Sequence, residues 1–432
     1  MSHALPTICV TVDDNRLTLI TEGPDRLIAL LALIDGARES LRLLYYIYRA
    51  DASGVAVRDA LERALDRGVQ VALLCDGFGF AAPDGFFDTL IAKGLRFCRF
   101  LPTLGRRYLI RNHQKLALAD AEGPAPCVLI GGFNIEDSYF GTAEDGAWRD
   151  LGLMVEGEAA ARLAPYFDEL MIWAKTPNAR MRTLNRLVHR FSATQGSLQW
   201  TFGGPTRGLS PWAAATCRDL LHGRDVAMIA AYFSPTWAML RRIGRVAQHG
   251  RVRIITAAKS DNNATISAAR HTYRRLLKRG AELFEYAPTK LHSKLVILDD
   301  IVHIGSSNFD IRSLYLNLEM MLRVDDPAFA AMMRAYFEQE CANSTPITRA
   351  VHAQRSTLFN RIRWALSFFL VTSADYSITR RLNSSQPLVE SRLLFLHALS
   401  LCPSHVGASL QARLRRRVHS ALSFAETPRV RL

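Results

Sequence analysis

Apolar runs of strand length alternate along the chain with stretches of helical periodicity, and they do so twice. LRLLYYIY (41–48) has a counterpart in VAMIAAYF (226–233), each a strand ending in aromatics. RGVQVALL (67–74) answers HGRVRIIT (249–256), each opened by a glycine after a helical stretch. KGLRF (93–97) answers RGAELF (279–284), with glycine again at the turn from helix into strand. LTLITEGPDR (17–26) and LQWTFGGPTR (198–207) are matching strands that end in Gly-Pro. Strands alternating with helices predict a mixed sheet with helices on its faces, and the duplication predicts two such units.

The repeat sharpens in RNHQKLALAD (111–120) and KLHSKLVILD (290–299), which share the spacing His-x-Lys-x4-Asp. Downstream, GGFN (131–134) answers GSSN (305–308), DLGLMV (150–155) answers EMMLRV (319–324), and APYFDEL (164–170) answers RAYFEQE (334–340). The expected organisation is a first repeat over 1–175, a linker at 176–196, a second repeat over 197–345 and a C-terminal extension over 346–432.

Alternation along a strand puts His113 and Lys115 on one face and Leu116 and Leu118 on the other, toward a core. His292 and Lys294 are placed the same way, backed by Leu295 and Ile297. An imidazole acts as nucleophile or general acid, and a neighbouring ammonium holds a phosphate oxygen. The glycine turns before Asn134 and Asn308 let backbone approach a ligand, and each amide offers a neutral donor to a phosphate. The set fits a phosphodiester, with one histidine forming a phosphohistidine while the other protonates the leaving alcohol and then deprotonates the acceptor. Asp150 and Glu319, at equivalent positions on a later strand, are candidates to orient the imidazoles. Asp120 and Asp299 fall on the opposite parity and are expected to order the turns. No Cys/His cluster or carboxylate cage has metal-ligand spacing, so neither metal nor cofactor is expected.

The duplicated motif resembles the phospholipase D superfamily. WRDLGLMVEG, NFDIRSLYLNLEM and YYIYRADASG are similar, more narrowly, to segments of bacterial cardiolipin synthases. The resemblance implies an α/β fold of two αβα sandwich domains related by a pseudo-two-fold axis. It also implies a catalytic set in which Asp120 and Asp299 are counted with the two His-Lys pairs, and a first-motif histidine as nucleophile. The implied reaction moves a phosphatidyl group from phosphatidylglycerol to a second phospholipid headgroup hydroxyl and releases glycerol. The same chemistry with water as acceptor, in a phospholipase or a nuclease, and a non-catalytic membrane scaffold are the alternatives.

Composition adds a location. The chain has 432 residues, 49% of them hydrophobic, enough for two ordinary cores. Its seven cysteines show no CxxC spacing, and the N-terminus has no basic-then-apolar leader pattern, which together point to the cytoplasm. The net charge is +14, and from residue 349 onward thirteen arginines face three acids, Asp375, Glu390 and Glu426. This basic extension is expected to meet an anionic membrane surface, making the protein peripheral on the inner membrane. Its apolar run at 364–374 is too short to span a bilayer. It reads either as an interfacial helix, with Trp364, Phe368 and Phe369 at the headgroups, or as a core helix, and it favours lipid over nucleic acid. QARLRRRVHSAL (411–422) is a second, weaker helical candidate.

Overall fold

The computed structural model describes residues 8–100, 110–206 and 208–374. The 411–422 candidate and the acids beyond residue 374 lie outside the described residues, as does Arg207. Strand β1 (Cys9–Val12) forms a hairpin with β2 (Asn15–Ile20), and β3 (Ser40–Tyr45), β4 (Gln70–Asp76), β5 (Arg96–Phe100), β6 (Leu116–Ala119), β7 (Cys127–Gly131) and β8 (Gly152–Glu156) follow. They make an eight-stranded sheet in the order β1-β2-β8-β7-β6-β3-β4-β5. The second repeat supplies β9 (Leu198–Gly203), β10 (Asp225–Ala230), β11 (Arg251–Ala257), β12 (Glu282–Tyr286), β13 (Lys294–Leu298), β14 (Ile301–Gly305), β15 (Glu319–Asp325) and β16 (Ser344–Pro346). Their order is β9-β15-β14-β13-β10-β11-β12-β16. Seven strands therefore correspond one to one, and each sheet adds one unmatched strand, β1 and β16, at opposite edges.

Within each sheet β3, β4 and β5 (or β10, β11 and β12) run parallel, joined by helices, while the His-Lys strand and its neighbours run antiparallel. Helix starts follow local capping chemistry. The side chains of Asp51, Ser210, Thr236, Asn262, Asp326, Thr348 and Thr357 each accept a backbone N–H of the turn they open. Both central sheets contribute to one shared core, in which Leu44, Leu116 and Leu153 of the first repeat join Ile229, Leu295 and Met320 of the second. Tyr166 stacks on Phe202 across the two repeats at 3.8 Å, and the Trp200 indole donates to the Ala159 carbonyl at 2.7 Å. Separate cores sit on each sheet's outer face beneath its own helices.

The extension begins differently from the membrane-tail expectation. Strand β16 pairs with β12, and helices Arg349–Arg355 and Leu358–Phe369 then pack on helix Asn263–Lys278. Trp364 and Phe368 are 4% and 5% exposed, with Phe368 within 5.1 Å of the Trp237 ring. These two aromatics belong to the body, so the headgroup placement expected for them is corrected. A helix in contact with a folded body turns one apolar stripe inward.

Candidate functional site

The two His-Lys strands enter the site through matched bridges between repeats. His113 N–H donates to the Leu318 carbonyl at 2.9 Å and Leu318 N–H to the Arg111 carbonyl at 2.9 Å. In the other copy His292 N–H donates to the Arg149 carbonyl at 2.8 Å and Arg149 N–H to the Lys290 carbonyl at 2.8 Å. Leu318 and Arg149 each precede a candidate orienting carboxylate, so the pairing crosses. His113 Nδ1 meets Glu319 Oε2 at 3.0 Å, and His292 Nδ1 meets Asp150 Oδ2 at 2.6 Å. Each repeat thus orients the other repeat's histidine.

Burial sets the protonation states. Asp150 and Glu319 have side chains with no exposed surface, and His113 and His292 retain 12% and 5% of theirs. Desolvation lowers the His113 imidazole below its ordinary value, and desolvation with the nearby Lys294 ammonium pushes His292 down to about 3. Burial by itself would raise the Asp150 carboxyl, but His292, Lys294 and Arg26 hold it below the usual carboxylate range. Both rings are therefore neutral near neutral pH. With Nδ1–H donated to a carboxylate, Nε2 presents its lone pair to whatever enters.

Lys115 and Lys294 are buried, and each Nζ donates to the carbonyl of the histidine two residues before it, Lys115 to His113 at 2.6 Å and Lys294 to His292. Desolvation drives Lys115 well below the ordinary lysine value, with Lys294 adding repulsion, and burial brings Lys294 down to about 8 despite Asp150 and Glu319. Burial of both lysines, with Lys294 repelling Lys115, means that an added anion would be welcome beside them.

The remaining expected residues divide. Asp120 and Asp299 sit in the left-handed region, φ 49° and 50°, and their carboxylates gather backbone N–H groups. Asp120 takes those of Arg38, Glu39 and Ser40 at 2.7–3.1 Å, and Asp299 takes those of Arg224 and Asp225. Each lies five residues beyond its lysine, about 16 Å along an extended strand. They order turns, as strand parity predicts, with their carboxylates turned to backbone N–H groups at the start of the neighbouring strand. Asn134, expected to offer its amide to phosphate, instead accepts from Ile47 N–H at 3.0 Å and donates to the Tyr139 hydroxyl at 3.1 Å, which ties down the 46–48 segment. Asn308 is equally buried, and its Oδ1 has no partner.

Several site residues were not read from the sequence. Tyr139 and Trp148 present their rings to His292 edge to face, at 5.1 and 5.3 Å, and Tyr46 lies 5.2 Å from His113. Asp76 is wholly buried and accepts Asn112 N–H at 2.7 Å, fixing the backbone just before His113. The Ser306 hydroxyl donates to Glu319 Oε2 at 2.6 Å. Its counterpart is Gly132, where a Cβ would come within 2.6 Å of Asp150 Oδ1 and 3.0 Å of Lys294 Nζ. Trp148 and Tyr46 stand inside family-like segments, the signal by which they were findable. Asp76 has no counterpart in the second repeat, where Ala257 holds its place, so repeat matching passes over it. Among the described residues no group of three or more His, Cys, Asp or Glu is placed to hold a metal ion.

Twin sheets carrying crossed His-carboxylate pairs and paired lysines define a phospholipase D-type fold and site. A family profile described as cardiolipin synthase, PLD-like domain, matches residues 30–171 and 218–341, and the chain belongs to that family. A cardiolipin synthase of Listeria monocytogenes serotype 4a is 28% identical over 382 residues, covering 84% of this chain and 76% of its own. Cardiolipin synthase 1 of Bacillus cereus is 28% identical over 351 residues, covering 78% and 68%. Among solved structures, phosphatidylserine synthase of Haemophilus influenzae Rd KW20 superposes with a TM-score of 0.67 at 14% identity, over 87% of this chain and 97% of that one.

Proposed function

We propose that the protein is a phosphatidyltransferase that makes cardiolipin from phosphatidylglycerol. One imidazole attacks the phosphodiester through Nε2, forming a P–N bond as the P–O bond to glycerol breaks, and the second histidine, which takes up a proton on Nε2 from solvent as the phosphodiester anion enters, gives that proton to the departing glycerol oxygen. The headgroup hydroxyl of another phosphatidylglycerol then loses its proton to that second histidine and attacks phosphorus. The new P–O bond forms as the P–N bond breaks, and both rings are restored. Lys115 and Lys294 neutralise the phosphoryl oxygens, and Asp150 and Glu319 keep each Nδ1 protonated and stabilise the imidazolium as it forms.

The observation that carries this reading is the crossed pairing, His113 with Glu319 and His292 with Asp150, around two buried lysines. Family membership and the named relatives support cardiolipin as product. No helix among the described residues is long and apolar enough to cross a membrane, and we assign the protein a peripheral position on an anionic membrane surface. The test is incubation of purified protein with phosphatidylglycerol vesicles in chelator, with cardiolipin and glycerol read by mass spectrometry. His113→Ala and His292→Ala should each abolish product, and full activity in either refutes the mechanism. Added glycerol should drive exchange back to phosphatidylglycerol, whereas a hydrolase yields phosphatidic acid regardless. Trapping phosphatidyl-enzyme and mapping the modified ring identifies the nucleophile.

A further inference from the structure

Helix Leu358–Phe369 turns Trp364 and Phe368 inward, yet it leaves a second apolar stripe outside. Leu358, Ile362, Leu366 and Leu370 recur every fourth position, and with Phe359 each is more than half exposed. A regular stripe of five large apolar side chains at helical spacing is the arrangement of a docking face rather than scattered surface hydrophobes.

The helices around it carry one sign of charge. Trp237–His249, Asn263–Lys278, Arg349–Arg355 and Leu358–Phe369 are packed together and hold eleven Lys and Arg and no Asp or Glu. Helices Gly23–Gly36 and Ala52–Asp66 of the first repeat hold five acids against three arginines, so the basic layer belongs to the second repeat alone. One acid lies beneath it, Glu285, which binds both Arg270 and Arg355.

The stripe also has a direction. Arg349 bonds the Leu277 carbonyl at one end of helix Asn263–Lys278, and Phe368 lies 4.9 Å from the His271 ring at its middle. The chain thus runs back toward the start of that helix, where Asp261 accepts the Tyr232 hydroxyl at 2.7 Å. Tyr232 is the repeat counterpart of Ile47, the chain neighbour of Tyr46, which packs on His113. The Leu366–Leu370 end of the stripe therefore lies on the side where the site is built.

We propose that this face, Leu358, Phe359, Ile362, Leu366 and Leu370 set in the basic layer, seats in an anionic lipid bilayer and brings the site to the headgroups. Apolar side chains enter the acyl boundary while arginines hold the phosphates. The proposal rests on the lipid reading of the site and deepens it by naming the surface.

The test uses the full chain in a His113→Ala background, so that binding is read without turnover. Co-sedimentation with phosphatidylcholine vesicles should be weak and should rise strongly when phosphatidylglycerol is included. Ile362→Glu with Leu366→Glu should weaken that binding at least tenfold while leaving the melting temperature within a few degrees. With both histidines intact, the same pair should retain turnover of detergent-dispersed phosphatidylglycerol. Loss of binding with turnover retained supports the face, and absence of turnover in the unsubstituted protein overturns the functional reading alone. Unchanged vesicle binding overturns the face, as it would if a second copy or the chain beyond residue 374 covered the stripe. As a second measurement, the emission of Leu366→Trp should shift blue on anionic vesicles and be quenched by brominated lipid. An unshifted spectrum overturns the proposal even if the charged variants fail to fold.

Discussion

Replacing Lys294 with methionine should abolish activity and yet stabilise the folded protein at neutral pH. Lys294 is 3% exposed and its ammonium is held at about 8 instead of its ordinary 10.5. Keeping it charged in the folded state therefore costs about 3 kcal/mol at pH 7. Methionine fills a similar volume without charge but forfeits the Nζ bond to the His292 carbonyl, about 1 kcal/mol. The net gain at pH 7 is roughly 2 kcal/mol. Because the folded value lies below the unfolded one, the cost is present in full below pH 8. It fades as pH climbs from 8 to 10.5, where lysine is neutral in both states. Urea unfolding of the two proteins across that range should thus show methionine ahead at pH 7 and lysine slightly ahead above 10.5. Inorganic phosphate at pH 7 should narrow the gap by stabilising only the lysine form. A native protein more stable than Lys294→Met at pH 7, or a gap that does not move with pH, would refute the reasoning.

Asp150→Asn should lower kcat by two to four orders of magnitude with little change in melting temperature, since the ring it orients is His292 in the other repeat. Gly132→Ala should likewise abolish most activity, because its Cβ meets Asp150 and Lys294, and a crystal structure of the variant should show one of them displaced. The pH profile of kcat/KM should fall above about 8 as Lys294 loses its proton, and Lys294→Arg should move that limb upward if any activity survives. Phe368→Ala should cost about 3–5 kcal/mol in thermal or urea unfolding, and deletion from Arg349 onward should compromise the body for the same reason.

The duplicated spacing made the histidines and lysines legible, and strand parity put their leucines in the core. The crossing was not legible: a match between repeats names Asp150 and Glu319 as equivalents but is silent on which histidine each faces. That depends on how the sheets pack, which rests on contacts such as Tyr166 with Phe202. The bonds of Asn134 were not legible either, because a small amide after a glycine turn looks the same in sequence whatever it holds, here the backbone of Ile47. The run at 364–374 misled in another way. Its apolar content admitted both an interfacial and a core helix, and 3.6-residue periodicity realises both, with Trp364 and Phe368 inside and Leu366 and Leu370 outside.

The crossed carboxylates leave neither half of the chain with a working histidine of its own. A substitution at either carboxylate is therefore felt at the histidine of the other copy. The halves have been free to differ in helix charge, in hairpin length and in which sheet edge carries an extra strand, while the handful of atoms they lend each other stays in register.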